Sequence, residues 1–138
     1  MKKNPKVIFF QVNKTQDKFL KIAKIAKMHF DNKRPLLFIT PNETVQKYVD
    51  DLLWSEPKFS FLPHISSDIP VDDLIVITKK MINPNESNYI FNLTTIPLLN
   101  MDFSIIYELD DHLDRKKALF SKNKFKTYRE KGYLIESR

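Results

Sequence analysis

An α/β protein with a mostly parallel central sheet is what this sequence predicts, and three observations carry that reading. Short apolar runs alternate with amphipathic stretches of helical period over roughly the first fifty residues, which is βαβα winding. Helix-start and helix-stop signals bracket the amphipathic stretches. The chain has a single glycine, Gly132, so neither G-x-G-x-x-G nor a Walker A loop exists, and the fold is expected without a nucleotide-binding glycine loop.

The first strand is expected at Lys6–Gln11, a short apolar run. From Thr15 to Asn32 the residues Phe19, Ile22, Ala23, Ala26 and Phe30 recur at helical spacing, with Lys14, Lys18 and Lys21 expected on a solvated opposite face. Pro35–Thr40 reads as a second buried strand. Thr40-Pro41-Asn42-Glu43 then has the form of a capping box with Pro at the first helical position. Val45, Tyr48, Val49, Leu52 and Leu53 mark the core face of the helix that follows, which is expected to end by Trp54–Pro57. Further on, Phe59–Pro63 is read as extended, and Leu74–Thr78, Tyr89–Leu93 and Phe103–Leu109 as strands. The last element is a helix from about Asp114 to Lys131, ended by Gly132 where left-handed backbone is favoured.

With 138 residues and 42% apolar composition, one domain spanning 1–138 with one core is expected. No apolar run approaches the roughly 20 residues that span a bilayer. Val7–Phe10 is too short for a signal-peptide core. A cytoplasmic protein without membrane contact is therefore expected. The absence of cysteine excludes disulfides, zinc ribbons and thiol catalysis.

Charge is segregated. Residues 1–34 carry ten Lys/Arg against two acids, residues 35–114 four against thirteen, and residues 115–138 nine against two. Basic ends thus enclose an acidic middle. The final helix concentrates Arg115, Lys116, Lys117, Lys122, Lys124, Lys126, Arg129 and Lys131. At about 100° per residue, Arg115, Lys122, Lys126 and Arg129 fall within a sector of roughly 60°, flanked by Ala118, Leu119 and Phe125. Like charges at such spacing repel, and a chain that keeps them usually offsets the repulsion with an anion. Apolar groups beside cations suit an acidic peptide ending in an aromatic residue and a free carboxylate. Two other readings apply to the same stripe: a solvated helix whose lysines complement the dipole, and a single-stranded nucleic-acid-binding module stacking bases on Phe120, Phe125, Tyr128 and Tyr133.

Catalytic arrangements are poor. His29, His64 and His112 form no metal-ligand spacing. Asp72-Asp73 and Asp110-Asp111 sit at element boundaries, where caps and turns account for them. No enzyme, metal or cofactor is expected. The run Trp54 to His64 gathers aromatics in a connection, either as a core plug or as a protein-binding surface.

Two of these features together resemble the chi subunit family of bacterial DNA polymerase III holoenzyme. Trp54 is followed seven residues later by Phe61-Leu62-Pro63-His64, and the C-terminal part reads Lys124-Phe125-Lys126-Thr127-Tyr128-Arg129-x-x-Gly132-Tyr133. The order of elements agrees along nearly the whole chain. The resemblance implies a Rossmann-like three-layer fold that binds no nucleotide, and an adaptor that links the clamp loader, usually through the psi subunit, to single-stranded DNA-binding protein. By position, the acidic, Phe-terminated tail of that protein would be gripped by Lys122, Phe125 and Lys126 with Lys116 or Lys117 nearby, next to Arg129 of the same stripe. Lys122 stands where the family has an arginine, which keeps the charge and loses bidentate carboxylate geometry. Trp54 and Phe61 would dock psi or another clamp-loader component. Single-stranded DNA would be contacted only indirectly.

Overall fold

The computed structural model describes residues 4–55 and 62–138. Its strands are β1 (Lys6–Val12), β2 (Leu36–Ile39), β3 (Ile65–Ser66), β4 (Ile75–Thr78), β5 (Tyr89–Asn92), β6 (Ile105–Asp111) and β7 (Leu134–Ser137); its helices are α1 (Thr15–Asp31), α2 (Glu43–Ser55) and α3 (Arg115–Glu130). The strands form one sheet in the order β3-β4-β2-β5-β6-β1-β7, and every pairing is parallel. The fold is α/β, Rossmann-like and three-layered.

Strand parity divides the core. Ile8 and Phe10 of β1 face one side with Ile22, Ile25 and Ala26 of α1 and Val49 and Leu53 of α2. Val7 and Phe9 face the other with Tyr128 of α3 and Leu98 and Phe103 of the β5–β6 connection. Central strands covered on both faces must be apolar at every position, and β2 and β4 are buried at all four residues.

Several local expectations are corrected. Thr40 does not cap α2. Its amide and its hydroxyl both donate to the Thr78 carbonyl, extending the β2–β4 ladder. Asn42 caps instead, its side-chain oxygen accepting from the Val45 amide at 2.9 Å. The lysine face of α1 is not simply solvated: Lys18 pairs with Asp111 at 2.7 Å and Lys21 lies 5.2 Å from the centre of the Phe10 ring. The segment after Gly132 forms β7, which the sequence pattern did not announce, parallel to β1 from Lys6↔Leu134 to Phe9↔Ser137. Part of the Phe59–Pro63 stretch lies outside the described residues.

Other expectations are met in detail. Asp114 caps α3, its carboxylate accepting from the Lys117 amide at 2.8 Å. Gly132 adopts φ +80°, and α3 closes as a Schellman motif, Tyr133 N–H donating to Tyr128 O and Gly132 N–H to Arg129 O. His29 is a core residue rather than a ligand. Its Nε2 meets the Tyr107 hydroxyl at 2.9 Å and its Nδ1 the Arg34 carbonyl at 3.1 Å. Burial pulls its pKa down from 6.5 to about 4.

Topology places the functional surface. α1 leaves β1 across one face and α3 leaves the neighbouring β6 across the other. Adjacent strands whose following helices diverge open a crevice at their C-terminal ends, and α3 forms one wall of it.

Candidate functional site

The seat of α3 is polar. Its buried residues are Ser121, Lys124 and Tyr128, a face that would read as solvent-exposed by composition. Lys124 is 6% exposed; its Nζ lies 2.8 Å from Glu108 Oε1 and donates to the Thr94 carbonyl at 2.6 Å. The other Glu108 oxygen accepts from the Tyr128 hydroxyl at 2.6 Å and from Asn92 Nδ2 at 2.8 Å. The Tyr128 oxygen in turn accepts from the Leu98 amide. Every polar atom of this cluster is thereby engaged across β5, β6, α3 and the β5–β6 connection. Burial pushes the Glu108 carboxyl up from its ordinary value, against the pull of Lys124, Tyr128 and Asn92. Burial likewise raises the Tyr128 hydroxyl, reinforced by the Glu108 charge. Such a cluster fixes the rotation of a helix about its own axis, because any other rotation strands an ammonium or a carboxylate in the core.

That rotation aims the cationic stripe outward. Arg115, Lys122, Lys126 and Arg129 are exposed, and none forms an ion pair with a described residue. Phe125 is 39% exposed, with its ring centre 5.8 Å from that of Phe9 in β1. Together with Ala118, Ser121, Asp110 and His112, these two rings and Lys122 line an open, mainly apolar pocket of about 360 Å³. Lys126 follows Lys122 by one turn, about 6 Å along the axis. The structure thus brings Lys122 and Phe125 into one pocket, while Lys126 and Arg129 stand exposed further along the helix, outside its lining. Lys116 and Lys117 lie elsewhere: Lys116 reaches over the Phe120 ring at 6.0 Å, and Lys117 lines a separate groove on the far flank of α3.

A family model described as the DNA polymerase III chi subunit, HolC, matches residues 5–136. The chain belongs to that family. It is therefore an accessory subunit of DNA polymerase III, and membership implies association with the clamp-loader complex. No curated protein matches the chain.

In this chi-family chain the expected partner-docking pair is half visible. Trp54, near the end of α2, is 43% exposed, and its ring sits 4.3 Å from that of His64. His64 is fixed from behind, Nδ1 against the Leu62 carbonyl at 2.6 Å and Nε2 against Asp50 at 2.7 Å. Leu62 joins the core and His64 is buried beside it, while Trp54 presents a face to solvent. Phe61 lies outside the described residues.

Four pocket residues, Phe9, Asp110, His112 and Ser121, were not singled out as site residues from the sequence. Phe9 belongs to a strand whose apolar residues all read as core. Asp110, which lies 2.9 Å from His112, reads as a boundary residue, and His112 as a histidine without metal-ligand spacing. Only the parity of β1 hinted at Phe9, since it faces the α3 side with Val7. Among the described residues no group of His, Asp and Glu is placed to hold a metal ion, and no helix is long and apolar enough to cross a membrane.

Proposed function

We propose that this chain is a non-catalytic, cofactor-free adaptor of the replicative polymerase in the cytoplasm, linking the clamp loader to single-stranded DNA-binding protein by gripping that protein's acidic C-terminal tail. The observation that carries this is the pocket between Phe9 and Phe125 with Lys122 on its wall and Lys126 and Arg129 beyond it. An aromatic side chain entering this pocket packs against the Phe125 ring beside Phe9, where edge and tilted ring contacts add to burial. A terminal carboxylate meets Lys122 and Lys126, with Arg129 beside them on the stripe, and acids further upstream meet Arg115 and Lys116 at the start of α3. The Trp54 side, with Phe61, docks psi or another clamp-loader component. Single-stranded DNA is reached only through its binding protein.

Titration with a short acidic peptide ending in Pro-Phe tests the proposal. Binding is expected to weaken sharply when the terminal carboxylate is amidated, and in Lys122→Glu plus Lys126→Glu. Charge-assisted contacts are worth about 1.5–3 kcal/mol each. No binding at millimolar peptide, or indifference to the paired substitution, would sink the reading. Tight binding of bare single strands with a steep salt slope, and no preference for the peptide's free carboxylate, would assign α3 to nucleic acid instead.

A further inference from the structure

α3 has apolar pockets on both flanks. The second, about 530 Å³, opens at the C-terminal ends of β5 and β6 and is walled by Phe19, Tyr48, Leu93, Leu113 and Phe120, with Lys117 among its polar lining. Ser121 lines both pockets, so the two lie on either side of α3.

The polar groups of this groove exclude a phosphate ligand. Lys18 is taken by Asp111 and Lys124 by Glu108. The starts of both flanking helices are occupied by their own carboxylates, Asp17 accepting from the Asn13 and Lys14 amides and Asp114 from that of Lys117. An entering group therefore meets apolar walls beside polar side chains already engaged within the protein, with Lys117 in the lining and Arg115 and Lys116 exposed on the first turn of α3.

We propose that this groove is a second anchor subsite for the same acidic peptide, taking an apolar side chain upstream of the terminal aromatic residue while the acids between them lie over Arg115 and Lys116. The proposal rests on the tail-binding reading and extends it. The geometry sets the spacing. A helix with its side chains is about 10–12 Å across, and an extended peptide advances about 3.3 Å per residue. A chain arching over α3 therefore separates its two anchors by roughly four to six residues.

The test compares three synthetic peptides: a short one ending in acidic residues and Pro-Phe, a longer one of about nine residues with Leu roughly five positions upstream of the Phe, and the longer one with Ser at that position. The Leu peptide is expected to bind about ten- to a hundredfold more tightly than the Ser peptide, the worth of one buried aliphatic side chain. That gain is expected to vanish in Phe120→Ala and in Leu113→Ser, while the short peptide binds both variants as it binds the wild type. Amide shifts on adding the Leu peptide, absent with the Ser peptide, should map to Leu93, Thr94 and Leu113. Equal affinity for Leu and Ser peptides, or a gain that survives both substitutions, overturns the second subsite and leaves the tail reading standing. Failure of the short peptide to bind removes both.

Discussion

On the inner face of α3, Lys124 holds its ammonium between Glu108 and the Thr94 carbonyl, whereas two residues earlier Lys122 stands exposed with no described ionic partner. The two lysines are chemically identical and less than a helical turn apart. The buried one is fully satisfied inside the protein, so removing its partner leaves a charge where water cannot follow. The exposed one is left incomplete by the fold, and its charge is available to something else. The inner face sets how the helix lies, and the outer face sets what the helix can hold. Composition alone merges them into one basic patch.

The largest expected effect breaks the inner face. Glu108→Ala strands the Lys124 ammonium and should cost about 3–5 kcal/mol of stability, read as a shift of the denaturant midpoint. Replacing the pair together, Glu108→Leu with Lys124→Met, should recover most of that loss. If Glu108→Ala is tolerated within about 0.5 kcal/mol, the inner face is no anchor and the contrast collapses.

A buried polar group away from α3 sharpens the point through pH. His29 titrates at about 4 in the folded protein against an ordinary 6.5. As pH falls through that interval the unfolded chain takes up the proton first. The stability that burial of the neutral ring contributes is therefore complete above about pH 6.5 and declines toward pH 4, by roughly 3 kcal/mol. Thermal unfolding at pH 7 and pH 4.5 measures it, and His29→Gln should flatten the His-dependent part of the slope.

On the outer face the prediction inverts. Lys122→Ala should leave stability within about 0.5 kcal/mol while weakening acidic-peptide binding by about 1.5–3 kcal/mol, read by titration calorimetry alongside a melting curve. Equal losses in both would make Lys122 structural. The smallest effect is reserved for an exposed cation that already has a partner: Lys27, 2.8 Å from Asp31 one turn along α1. Lys27→Ala should change stability by no more than about 0.5 kcal/mol and binding not at all.

Much of this was legible before the structure. Gly132 announced the end of α3 because left-handed backbone at that position favours a residue without Cβ. The angular positions of Lys122, Lys126 and Arg129 followed from helical geometry alone. Thr40 misled, because a capping box is a local pattern and the Thr78 carbonyl that claims Thr40 is thirty-eight residues away. β7 was missed because Leu134–Ser137 has no apolar run and is a strand only by virtue of lying beside β1.

By itself, then, the sequence determined the class of the fold, the order of its elements apart from β3 and β7, and the grouping of the α3 cations into one sector, since all three depend on periodicities of about two and 3.6 residues along the chain. The tertiary structure decided which lysine is buried. It made Phe9 the floor of a pocket rather than one more core residue, and it set α3 as a wall between two pockets. Those outcomes depend on which side chains meet across β1, β6 and α3, and a buried charge keeps its place only where its partner is waiting.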